Sequence, residues 1–125
     1  MTENEIATQI VDAAYKIHTT LGPGLLESAY QKVLVYELRK RGLNVAPEYP
    51  IPLVYETVHM EIAYRADLLV NNKVIVELKA VKSIIDAHEA QLINYLKATD
   101  IEVGLLLNFG TEAKFKRKIF TKRKR

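Results

Sequence analysis

The stretch D-L-L-V-N-N-K-V-I-V-E-L-K, residues 67–79, decides the fold. It reads as two strands around a turn. Val74, Ile75 and Val76 are β-branched residues that suit a pleated, buried surface. Asn71-Asn72-Lys73 is the turn, and Asn tolerates the left-handed conformation a turn needs. The second strand then spends two positions on charge, Glu77 and Lys79, which alternation puts on one face. Buried charges are costly unless they pair or bind a metal. With a three-residue turn, Val70 faces Val74 and Asp67 lies opposite Glu77. Such residues stand roughly 4.5–5.5 Å apart at Cβ on the same side of the sheet. A turn one residue shorter would send them to opposite faces. The odd turn is the expectation, and its two facing carboxylates need compensation. A hard cation such as Mg²⁺ supplies it, taking one or two carboxylates and keeping several waters. Lys79 offsets further charge or holds a water. In this register Arg65 faces Lys79, which makes it a candidate phosphate contact.

The rest of the chain sets the frame. Its 125 residues suit one domain, and 49% apolar with 26% charged residues is a globular composition. The absence of cysteine excludes disulfides, a thiol nucleophile and thiolate metal sites. Three histidines without cysteine do not make a zinc site. His18 reads as a cap or core histidine, and His59 as solvent-facing. His88, one turn before Gln91, is a lesser candidate to face the site. No apolar run is long enough to span a bilayer, and the N-terminus lacks the basic start and apolar core of a signal. The expectation is a soluble cytoplasmic protein without membrane contact.

The net charge of +3 is unevenly spread. Residues 113–125, A-K-F-K-R-K-I-F-T-K-R-K-R, hold eight of the eighteen basic residues and no acid, against ten basic and fifteen acidic residues before them. Such a cluster attracts phosphate backbones, so Lys114, Lys116, Arg117 and Lys118 are candidate nucleic-acid contacts. The plain alternative is a solvated terminus. Phe115, Ile119 and Phe120 suggest that the first half packs on something, with fraying from about residue 121.

Periodicity predicts a helix over 4–20, ended by Gly22-Pro23-Gly24, and a second over 25–41 with the apolar stripe Leu26, Tyr30, Val33, Leu34 and Leu38. Residues 45–54 carry three prolines and read as extended chain or an edge strand. Residues 58–70 read as a strand, with alternation at Val58, Met60, Ile62 and Tyr64. A helix follows over 85–99, with Ala90, Ile93, Tyr95 and Leu96 facing inward, then a buried strand over 103–109. The fold class is α/β (α+β), with two N-terminal helices, a central mixed sheet of about four to five strands, and a helix after the E-x-K strand. Seven Tyr and three Phe are scattered rather than set on one sheet face, so no base-stacking sheet is legible.

Asp67, a hairpin and Glu77-Leu78-Lys79 together resemble the core of the PD-(D/E)XK nucleases, with their restriction-endonuclease-like fold. Gly24-Leu25-Leu26-Glu27-Ser28-Ala29-Tyr30 is similar to the G-x-x-E-x-x-Y signature of its GxxExxY branch. Gln91-Leu92-Ile93-Asn94-Tyr95 is similar to the Q-x-x-x-Y motif of RecB-like members. Ala66 stands where that pattern has proline. The resemblance covers about residues 5–120 and implies a single nuclease-like domain over 1–125. It implies that Asp67, Glu77 and the backbone carbonyl of Leu78 ligate Mg²⁺ or Mn²⁺, with Glu27 joining directly or through water. It implies that Lys79 orients or helps deprotonate the attacking water, and that Gln91 and Tyr95 line the site. The expected activity is metal-dependent hydrolysis of nucleic-acid phosphodiesters, DNA above all. The alternative is a catalytically inactive nucleic-acid-binding or assembly module on the same fold. A homodimer or a protein partner fits either reading, because a domain this small offers little surface to grip a duplex.

Overall fold

A computed structural model describes residues 1–61 and 64–121. The chain begins with α1 (Glu3–Leu21), capped by Thr2, whose hydroxyl accepts from the Glu5 amide while Glu5 reaches back to the Thr2 amide. Ile6, Ile10, Ala13, Ala14 and Ile17 form its buried stripe. Gly22 and Gly24, at φ 71° and 103°, carry the chain through a turn that other residues adopt only with strain. Then comes α2 (Glu27–Lys40), which buries Tyr30, Leu34, Glu37 and Leu38. Leu26, expected on that stripe, caps the helix instead and is 76% exposed.

Five strands make the main sheet: β1 (Val45–Pro50), β4 (Arg65–Val70), β5 (Val74–Lys79), β6 (Val103–Phe109) and β7 (Ala113–Ile119), in the order β1-β4-β5-β6-β7. A separate hairpin of β2 (Leu53–Tyr55) and β3 (Val58–Met60) interrupts them, and α3 (Asp86–Ala98) joins β5 to β6. The β5–β6 pair is parallel and the other pairs are antiparallel. The proline-rich β1 is indeed an edge strand.

Two expectations are corrected. Residues 58–70 are not one strand: β3 pairs only with β2 and is exposed, while β4 enters the buried sheet. Nothing buries the side chains of β3, so no core draws it into the same ladder; Ile62 lies outside the described residues. The basic segment, read as a tail, supplies β7. Its strand character was masked by charge, because one sheet edge left in water needs no apolar alternation. The final K-R-K-R, 122–125, lies outside the described residues.

The sheet is covered on both faces. Leu68, Val70, Val74, Val76, Leu78, Leu105 and Leu107 share one apolar cluster with α1 and α2. Leu69, Ile75 and Leu106 share the other with Leu92, Tyr95 and Leu96 of α3. Two-sided burial explains why β5 and β6 read as continuous apolar runs. On α3, Ala90 is exposed where an inward position was expected, and Leu92 takes that place. Among the described residues no helix is long and apolar enough to cross a membrane.

Gly104 on β6 sets how closely α3 approaches. A Cβ there would stand 2.7 Å from Leu92 Cδ1 and 3.0 Å from Cγ, and Leu92 is fully buried. Gly104→Ala is therefore expected to destabilise the chain by about 1–3 kcal/mol, the usual range for overpacking. Urea unfolding checks this, with a lowered midpoint at unchanged slope as the expected outcome.

Candidate metal and phosphodiester site

The hairpin that joins β4 to β5 has the odd register. Val70 pairs with Val74, Leu69 with Ile75 and Leu68 with Val76. Asn71 and Asn72 turn the chain at φ 51° and 56°. The ladder then stops, one residue short of Asp67 and Glu77. In place of backbone pairing, the Asp67 amide donates to Glu77 Oε1 at 2.8 Å and the Leu78 amide donates to Asp67 Oδ2 at 2.7 Å. Each carboxylate thus reaches across to the opposite strand, and the two are drawn together.

This exchange also orients a backbone acceptor. The N–H and C=O of one strand residue point to the same neighbouring strand. Since the Leu78 N–H points at Asp67, the Leu78 carbonyl is turned toward the same carboxylate cluster.

Burial makes the cluster electrostatically costly. Glu77 is only 5% exposed. Burial first, and then the charge of Asp67, pushes Glu77 up to about 8. Asp67 is raised too, by burial above all; the Leu78 N–H pulls the other way, and Glu48 and Glu27 add repulsion. Lys79, half-buried at the end of β5, favours the charged form of both. Tyr95 is pushed up to about 12, by burial first and then by Glu77 and Asp67, which brings this helical residue within electrostatic reach of the pair.

Glu27 stands exposed in the first turn of α2 and acts on both carboxylates only through its charge. Among the described residues no three His, Asp or Glu side chains come close enough to enclose an ion by themselves. Two carboxylates and a strand carbonyl nevertheless suit Mg²⁺, which takes one or two carboxylates and retains waters. Their mutual repulsion and burial are what a divalent cation relieves.

Other expected residues fall further away. Gln91 lies one turn before Tyr95 on the same side of α3, and its side chain makes no hydrogen bond among the described residues. His88 does not face the site: its Nδ1 accepts from the Ile85 amide at 3.2 Å at the start of α3. His18 bonds the Gly110 carbonyl at 2.7 Å. Arg65 pairs across to Pro50 and is exposed; the β4–β5 ladder ends before it could face Lys79. The cations of β7 lie two strands beyond β5 and are largely engaged. Lys116 and Lys118 both bind Glu89 of α3, Lys114 stands 3.8 Å from Glu112, and Arg117 bonds Asn4.

One contributor, Gln31, is not evident in the sequence. The Gln31 side chain donates both to the Asp67 carbonyl and to Glu48 Oε1, each at 3.1 Å. It thereby ties α2 to the strand that carries Asp67. Gln31 is one turn after Glu27, and that i, i+4 spacing is the signal that marks it. Tyr30 donates its hydroxyl to the Gly22 carbonyl, accepts from the Leu25 amide at 3.3 Å, and stacks on Phe109 at 4.4 Å. The turn that delivers Glu27 is fixed by these contacts.

The model of the PD-(D/E)XK nuclease superfamily matches residues 4–120, and the chain belongs to that superfamily. Among solved structures it is similar in fold to the crystal structure of SSO0001, with a TM-score of 0.63 and 22% identity, over 93% of this chain and 57% of that one. The chain thus spans little more than half the length of that protein. No curated protein matches.

The raised Glu77 fixes a pH dependence. Its ordinary value is 4.5 and its folded value about 8, so between those pH values the folded chain holds a proton that the unfolded chain has lost. Stability therefore falls as pH rises through that window and levels off above it, by on the order of a few kcal/mol. Glu77→Gln still accepts from the Asp67 amide but cannot ionise. In metal-free solution the variant is expected to be more stable than the parent at pH 8 and close to it at pH 5. Thermal unfolding at both values checks the sign.

Proposed function

We propose that this chain is a metal-dependent nuclease that hydrolyses nucleic-acid phosphodiesters, DNA above all. The observation that carries the reading is the pair of carboxylates bonded across the end of the β4–β5 ladder, Glu77 to the Asp67 amide and Asp67 to the Leu78 amide, with Lys79 beside them. Carboxylates with no catalytic task would only repel phosphate. The intact acid set therefore favours an enzyme over a binding module.

In this reading Asp67, Glu77 and the Leu78 carbonyl would hold Mg²⁺ or Mn²⁺, with Glu27 joining directly or through water. The chemistry such an ion supplies is acidification of a bound water and stabilisation of charge on the phosphoryl oxygens. Lys79 holds the attacking water and offsets charge that grows on the phosphate. Tyr95 excludes water from the α3 side of the carboxylates, and Gln91 orients the phosphate or Lys79 from the same helix. Gly24, Glu27 and Tyr30 support a reading in which the chain falls in the GxxExxY branch. The spacing has a physical sense here: Tyr30 locks the turn, and Glu27 projects from the helix start it sets.

Cleavage of mixed substrates tests this: single strands, duplexes, flaps and four-way junctions, each with Mg²⁺, Mn²⁺ or EDTA. Asp67→Asn and Lys79→Ala are expected to lower the rate by about 100-fold or more, the scale of a lost acid–base group, and EDTA to abolish it. Salt-sensitive binding without cleavage under any metal would favour the inactive module instead.

A further inference from the structure

Beside the carboxylates, the β2–β3 hairpin and α3 face each other across an open groove of about 990 Å³. That is at the upper end of the roughly 300–1,000 Å³ typical of small-molecule sites. Tyr64 and Tyr95 line it, with ring centroids 6.4 Å apart and planes tilted by 54°. Tyr64 is 48% exposed, so its ring is open to a ligand. Gln91 and Asn94 bring side-chain amides to the same groove, and neither makes a hydrogen bond among the described residues. His59 lines it from the hairpin side. Among the described residues no Asp or Glu lines the groove, in contrast to the acid cluster next door, and the one charged residue there is the cation Lys97.

These features match one chemistry. Aromatic faces stack on any base, and free amides, each both donor and acceptor, match base edges. An aliphatic occupant would leave the amides unanswered. The groove also neighbours the candidate site: Tyr95, which lines it, lies within electrostatic reach of Glu77 and Asp67.

We propose that this groove binds an unpaired nucleobase next to the scissile phosphate, which makes single-stranded nucleic acid, or a duplex with an unpaired end, the preferred substrate. The proposal rests on the nuclease reading above. A base inside a duplex is stacked on both sides and must leave the stack to enter. Of the scattered tyrosines, Tyr64 thus presents the stacking face between a hairpin and a helix, with the buried Tyr95 ring behind it.

Fluorescence anisotropy tests it on the full chain, with EDTA present so that the probes stay intact. The probes are short single-stranded DNA and RNA, the same DNA length made abasic, and a blunt duplex. Single strands are expected to bind at least about 5-fold more tightly than the abasic strand. Tyr64→Ala is expected to weaken single-strand binding by roughly 5- to 150-fold, the range of one base–aromatic stack. It should leave abasic binding unchanged, whereas Tyr64→Phe should bind as the parent does. Asn94→Ala, also at an exposed position, should alter the ranking of homopolymer strands. Equal affinity for abasic and normal strands, or equal loss on both with Tyr64→Ala, would overturn the base site. If metal-dependent cleavage persisted in that case, the nuclease reading would stand alone. Absence of both binding and cleavage would overturn the two together.

Discussion

Where the β4–β5 ladder ends, two side chains take over the work of the backbone. Beyond the last rung the amides of Asp67 and Leu78 each meet a carboxylate from the facing strand. That substitution keeps the amides satisfied at a place where the sheet opens. It also commits two acids to one small volume, and the register allows no other outcome. The turn of Asn71, Asn72 and Lys73 pairs Val70 with Val74, and every residue further out inherits that parity. A shift by one would place Glu77 among the leucines beneath α1 and α2.

The surrounding fold is arranged so that this repulsion can be borne. Apolar layers on both faces hold β5 at the centre of the sheet, so its end cannot move away from the strain. From α2, Gln31 clamps the Asp67 carbonyl. A second acid shows the contrasting treatment. Glu37, also buried, is held near 2, first by its hydrogen bond from Arg41 and then, against the opposing effect of burial, by Lys16 and Lys40. Glu37 is fully answered by protein cations, whereas among the described residues Glu77 has only the charge of Lys79. A chain able to neutralise one buried carboxylate and leaving another under-compensated directs attention to the second as the working group.

Much of this was legible because it follows from period and parity. The helices over 3–21, 27–40 and 86–98 follow their apolar spacing, and the facing acids follow from a turn length. What escaped depended on contacts distant in sequence. Leu26 has apolar spacing but falls at a helix cap, outside the core. The segment from Val58 alternates like β4, yet pairs with β2, a choice set by what lies beneath it. Gln31 is unremarkable until Asp67 arrives 36 residues later. The groove tyrosines are 31 positions apart and meet only because α3 folds back against the hairpin.

The basic segment shows why charge content alone is a poor guide to charge effect. As a solvated tail, residues 113–121 would offer four cations to a phosphate backbone. As β7 they form the last strand of the sheet, and an exposed edge invites pairing with another chain. Lysines along such an edge discourage it, since a second copy would bring like charge against like. Inward, Lys116 and Lys118 converge on Glu89 and fasten the strand to α3, the helix that carries Tyr95. An ion pair already made must be broken before it can serve a phosphate. Lys116 and Lys118 thus hold α3 to the sheet edge, whereas the Lys79 side chain, beside the carboxylates, makes no hydrogen bond among the described residues.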